Sequence, residues 1–237
     1  MTLKAIEEII LVTIGYDRYS SLSADTNAEK IEDFSFLHRC VWLAREEIKV
    51  NTLIPSILKR SSANKTTAGT KAYSLPTDFD IPVKVRYRSA SSEFDLDRVY
   101  PENLMQKLGG NLTTTQGTPS LYMIFGNSSD VAQIELYLIP DTTNQEYDVE
   151  YKPVLANLTT STDEDLIMNK YPLTVIKFAT AYAFQFIKKD DTGFDKYFLM
   201  GMADLPKINL REINSDSLYK ELPDPLTRRR RQTRFSQ

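Results

Sequence analysis

The stretch AYSLPTDFDIPVKVRYRS, residues 72–89, decides how the chain is divided. Val83, Val85 and Tyr87 alternate with Lys84, Arg86 and Arg88, a period of two that places the apolar set on one face of a strand and the cations on the other. Working outward, FDLDRVY (94–100) alternates in the same way. SLYMIFG (120–126) and AQIELYLIP (132–140) are further apolar, aromatic-rich runs separated by the turn residues NSSD, and YDVEYKP (147–153) sets Tyr147, Val149 and Tyr151 on one face. At least five strands are expected between 71 and 153, as an antiparallel sheet or sandwich. Between them, PENLMQKLGG (101–110) reads as one or two helical turns ended by glycines.

On either side of this block the period changes to that of helices. Residues 2–15 carry Leu3, Ile6, Ile10, Leu11 and Ile14 on one face, with Gly15 as the stop. Thr26 and Glu29 have capping-box spacing, and a long helix is expected from about 27 to 50 around Ile31, Phe34, Leu37, Val41 and Ile48. Phe36, Cys40 and Leu43 widen its stripe. Residues 51–70 turn to Ser, Thr, Ala, Asn and Lys and read as a loop or arm, with order expected only near Ile54–Leu58. Helix returns over 162–190, capped by Ser161 with Glu164 or by Thr162 with Asp165, and buries Val175, Ile176, Ala179, Tyr182, Ala183 and Phe186. A last helical stretch is expected over 193–204, resuming over 207–220 after a break at Pro206. Pro223 and Pro225 stiffen the exit into LTRRRRQTRFSQ (226–237).

The expected fold class is therefore α+β. Residues 1–50 and 156–222 supply the helices of one bundle, 71–155 form an inserted antiparallel β-rich domain, 51–70 a loop or arm, and 223–237 an extended basic arm. A chain of 237 residues with 41% hydrophobic and 26% charged residues has the composition of a soluble globular protein, unusually rich in aromatics, with 13 Tyr and 11 Phe. No apolar run approaches a membrane span, and no secretory signal is read. The chain is expected to be soluble and intracellular where it is made.

Chemistry finds little foothold. The lone Cys40 excludes an intrachain disulfide and a cysteine-based zinc site. His38 is the only histidine, and two residues from Cys40 on a helix it points to a different face, so a Cys–His pair is not expected. The acids at 163–165 diverge as consecutive helical residues and read as a cap rather than a metal site. Asp78, Asp80, Asp95 and Asp97 read as a solvated sheet face. Phosphate-loop, dinucleotide, HExxH and GxSxG motifs are absent. The chain is not expected to be an enzyme or to hold a cofactor or metal.

Charge is distributed unevenly. The chain carries a net −3, but five of its 29 basic residues lie in the last twelve; without them 24 bases face 32 acids, a balance of −8. An acidic body with a basic tail implies two different partners, or one partner and one repelled neighbour. Taken alone, RRRRQTRF suggests salt-dependent nucleic-acid binding, although the body shows no RNA-binding signature and no evident recognition helix.

The order of the motifs adds a second reading. A Y-x-LP-x-DF strand (73–79), a G-x-P-x-x-Y strand (117–122), a P…Y-x-V-x-Y strand (140–151) and an acid-started apolar helix follow one another as in the head-to-tail adaptors of tailed bacteriophages. The N-terminal stretch, with Ile14, Gly15, Ser21 and Leu22 before a long helix, resembles the opening of the podovirus tail tubular protein A family. The Gly-Trp-x-Phe-Asn stretch of that family is missing, and residues 51–70 stand in its place. The resemblance implies a non-enzymatic virion protein of the neck or tail, made in the host bacterial cytoplasm. It implies a homo-oligomeric ring, usually of twelve copies, beneath the portal protein and above a downstream tail or nozzle protein, with DNA passing through without specific binding and no membrane involved. It further implies a C-terminal arm that docks on the portal, here Arg228, Arg229, Arg230, Arg231, Arg234 and Phe235, with the arginines pairing to acids. Another neck or tail completion protein, and a nucleic-acid binder acting through the arginine tail, are the alternatives.

Overall fold

In a computed structural model of the chain, the residues described are 1–16, 28–89, 92–103, 114–126, 132–158 and 162–215, the side chains of 28–35, of 63 and of 213–215 aside. They form the α+β fold expected, with helices at both ends and largely antiparallel sheets between. The chain divides into two units: Met1–Ser56 with the described part of Leu155–Gln237, and Ile57–Val154. The caps read at Thr26 and Ser161, the turn NSSD, most of PENLMQKLGG and the whole basic tail lie outside the described residues.

The β unit is built on alternation. Strand β1 (Lys59–Lys65) pairs with β10 (Glu146–Pro153), which pairs with β3 (Phe79–Arg88), which pairs with β4 (Glu93–Asp95). A second sheet runs β2 (Ala72–Ser74), β8 (Ala132–Tyr137), β7 (Leu121–Gly126), β5 (Asp97–Arg98). The short β6 (Gln116–Gly117) and β9 (Ile139–Pro140) pair in parallel. Register places Tyr87 opposite Tyr147 and Val85 opposite Val149. All four are buried, and they join Leu75, Tyr122, Ile134, Leu136 and Tyr151 in one core. Large rings bury much area each, which lets a small sheet pair hold a core.

One expectation is corrected here. Residues 59–65, read as part of a loop or arm, are a strand. Its KRSSANK sequence has no apolar alternation because β1 is an edge strand, held by main-chain pairing to β10 from Lys59 opposite Tyr151 to Lys65 opposite Glu146. A bulge between Ser61 and Asn64 is closed by the Asn64 amide, which donates to the Ser61 and Tyr147 carbonyls. Charged ends and a bulge are the usual means of blunting an exposed edge.

In the helical unit, α1 (Leu3–Thr13) buries Leu3, Ile6, Ile10 and Leu11. It stops at Gly15, whose φ of +90° a side chain would resist, and there the Tyr16 amide donates to the Leu11 carbonyl. The long α2 (Ala28–Asn51) buries Leu37, Cys40, Val41, Ala44 and Ile48. It packs on α4 (Pro172–Ala183), whose Val175, Phe178, Ala179 and Ala183 are buried.

The return into helix also differs from the sequence reading. It begins at α3 (Leu166–Lys170), and the cap is Asp165 itself, which accepts from the Met168 amide. Thr162, read as an alternative cap, does not open α3, and Asp165 is also held by Arg45. Pro172 lacks the N–H needed to continue α3 and sits instead at the start of α4, where it is tolerated. After a π-helical turn over Phe184–Lys188 come α5 (Asp191–Met202) and α6 (Leu205–Ser215). Pro206 lies in the first turn of α6, so it opens that helix rather than breaking it.

Candidate functional site

Among the described residues, the side chains singled out in the sequence do not come together as a catalytic constellation. The Cys40 thiol is fully buried, and burial pushes it up to about 12, too high for a thiolate nucleophile. His38 turns instead to Glu7, with Nδ1 3.0 Å from Oε1 of that buried carboxylate. Of the acids 163–165, Asp165 is spent on its cap and on Arg45, and Glu164 accepts from the Asn169 amide group at 3.2 Å. Among the described residues no group of three or more His, Cys, Asp or Glu side chains is placed to hold a metal. A crevice of about 150 Å³ between Lys170, Tyr171, Arg211 and Glu212 is occupied by its own bonds: Lys170 reaches Glu212 at 3.1 Å, and the Tyr171 hydroxyl donates to the same carboxylate.

What remains are surfaces, and the first is the outer face of the β1–β10–β3–β4 sheet. The cations that alternate along β3 lie between acids on both neighbouring strands. Lys84 meets Asp95 at 2.9 Å, Arg86 meets Glu93 at 2.9 Å, and Arg88 meets Asp148 at 2.9 Å. From β1, Arg60 reaches Asp148 from the other side. Opposite charges directly across a ladder support register. They also neutralise the face, so these arginines offer phosphate little unpaired charge. Hydrogen bonds and charge from Lys84 and Arg86 hold the Asp95 carboxyl below its ordinary value. The bond from Lys59, helped by the Tyr151 hydroxyl, does the same for Asp78. Of the acids read as a solvated sheet face, Asp78 and Asp95 are therefore members of ion pairs.

The second surface belongs to the helical unit. Of the large apolar side chains that stand exposed among the described residues, only Tyr100 and Val154 lie in the β unit. Ile9, Val12, Trp42, Leu173, Leu199 and Leu210 are among those in the helical unit, with Leu199 at 67% and Val12 at 65% exposure. Single exposed apolar residues need no account. A concentration in one of two units does.

The unit is tied together by polar clasps, and the one at Arg45 is buried. Arg45, only 1% exposed, donates from Nε to Asp165 and from Nη2 to the Ala156 carbonyl at 3.0 Å. One side chain thereby fixes both the returning chain and the start of α3. The Lys170 ammonium reaches the Ser56 hydroxyl at 2.9 Å, and Asn209 accepts from the Leu53 amide at 2.9 Å. Sequence periodicity did not single out Arg45; a long cation beside Ala44 and three residues before Ile48 was the one available signal.

The predicted arm residues Arg228, Arg229, Arg230, Arg231, Arg234 and Phe235 lie outside the described residues, so none is placed beside any other group. Among the described residues, no helix is long and apolar enough to cross a membrane. Compared with protein families, residues 18–227 match the family described as SU10 adaptor protein. No curated protein matches the chain.

Proposed function

The chain belongs to the SU10 adaptor protein family of phage head-to-tail adaptors, a structural component of the virion, and from that premise we propose that its copies form the connector ring joining portal to tail. The ring, read as twelve copies, continues the DNA channel between the portal and a downstream tail or nozzle protein. The observation that carries this is the family match itself, which runs through both units rather than through one motif.

The electrostatics support the reading. A channel that DNA crosses quickly must not bind phosphate, since each cationic contact adds affinity. The chain without its last twelve residues carries −8, and the cations Lys84, Arg86, Arg88 and Arg60 on the sheet face are paired to acids. The arginine tail is read as the portal-docking arm: Arg228 to Arg231 and Arg234 pair with portal carboxylates, and Phe235 fills an apolar notch. The helices from the two chain ends are read as one bundle that carries the β unit as an insertion.

Electron microscopy of the purified chain mixed with portal rings tests this. The expected result is added ring density on the portal, weakened when residues 226–237 are deleted although the body stays folded. Undiminished portal binding by the truncated chain rules out the docking arm. Steeply salt-dependent DNA affinity that disappears with the tail, and no portal complex, favours the nucleic-acid reading instead.

A further inference from the structure

Helices α1 and α5 both pack on α4, yet they do not form a substantial contact with each other. Each turns a face outward. On α1 the exposed residues Lys4, Glu8, Ile9 and Val12 share one side of the helix, opposite the buried Leu3, Ile6, Ile10 and Leu11. On α5 the exposed residues Asp195, Lys196, Leu199 and Met202 do the same, opposite the buried Gly193 and Gly201. Read from N- to C-terminus, the first face runs basic, acidic, apolar, apolar. The second runs acidic, basic, apolar, apolar. Laid parallel, the charges are opposite at each of the first two places and the apolar halves meet.

We propose that the outer face of α5 docks against the outer face of α1 of a second copy of this chain, Leu199 and Met202 against Ile9 and Val12, with Asp195 and Lys196 set against Lys4 and Glu8. The occupant is a second copy because the complementary sequence of charges is carried by the chain itself. Two different faces in contact make a heterologous joint, which closes into a ring when the rotation allows. The inference rests on the ring reading above and names the surfaces that make it. Apolar contact supplies the affinity, and the charge order fixes the direction and register of the helices.

The test uses two full-length variants, Val12→Cys and Leu199→Cys, mixed and treated with a short bis-maleimide. Cys40 does not compete, being 0% exposed. The expected product is a covalent dimer from the mixture and a ladder of multimers from the double variant. Linkage of Leu199→Cys to itself, or no linkage between the two, overturns the contact. Electron microscopy of the same untreated preparations mixed with portal rings separates the two ideas. Rings without linkage sink only the contact, whereas neither rings nor linkage sinks the ring reading with it. Charge exchange gives a second readout: Lys196→Glu is expected to impede assembly and Glu8→Lys added to it to restore assembly. Assembly indifferent to both changes overturns the pairing.

Discussion

The two units of this chain solve the problem of a water-facing surface in opposite ways. The β unit clothes its outer sheet face in alternating cations and anions that pair across strands. The helical unit buries some of its charges, as clasps around Arg45, Glu7 and Glu212, and leaves leucines, valines and a tryptophan outside among its surface charges. Surface ion pairs contribute little to stability but keep a face soluble and inert. Buried ones contribute little net but are expensive to break. The same residue types therefore carry different weight in the two halves, and substitutions should expose the difference.

The largest effect is expected at Arg45. Arg45→Met keeps the stem and deletes the charge, leaving Asp165 without its partner and the Ala156 carbonyl without its donor. A loss of about 3–5 kcal/mol is expected. Trp42, the sole tryptophan, lies on α2, so its fluorescence during urea unfolding follows the helical unit alone. A loss below about 1 kcal/mol would mean that the clasp is ornamental. Next comes Gly201→Ala. An added Cβ would stand 2.8 Å from the ring of buried Phe178, too close without displacement. Overpacking of this kind costs about 1–3 kcal/mol, again read by Trp42.

In the β unit the expected effects are smaller. Arg86→Ala removes two surface pairs and should cost at most about 1 kcal/mol, measured by hydrogen exchange of the β3 and β10 amides. A larger loss would show that the charged face holds the sheet together, and the contrast between the units would fail. The smallest effect is a pH dependence. The folded Asp78 carboxyl titrates below its ordinary 3.8, chiefly through the Lys59 bond. Its contribution is present above the unfolded value and is lost as pH falls through the lower folded one. Asp78→Asn should therefore lower β-unit stability slightly at neutral pH and flatten its acid limb below about pH 4. An unaltered acid limb would remove Asp78 from the account.

Legibility in the sequence followed the same division. Alternation in VKVRYR and YDVEY announced β3 and β10 because one face of each is buried and the other charged. The edge strand β1 was illegible for the converse reason: KRSSANK buries no regular face, and main-chain bonding leaves no trace in side-chain type. The helical spans were legible from their apolar period, but the start of α3 was not. Its cap is chosen by Arg45, 120 residues away in sequence, and local spacing cannot register so distant a partner. The outward faces of α1 and α5 were legible only once burial had shown which side of each helix is spent on the core.

That distant clasp also bears on the order of events during synthesis. Arg45 leaves the ribosome long before Asp165 and Ala156 exist, and the whole of Ile57–Val154 is made in between. The β unit has all its strands in hand as soon as Pro153 emerges, and domains generally fold as units in the order they are completed. The helices at the chain's beginning must wait, apolar side unsatisfied, until α3 and α4 arrive to receive them. A nascent chain stalled when residue 154 has just emerged from the ribosome should therefore carry a formed sheet and an unclosed pair of helices, the interval in which this chain most needs shielding from its neighbours.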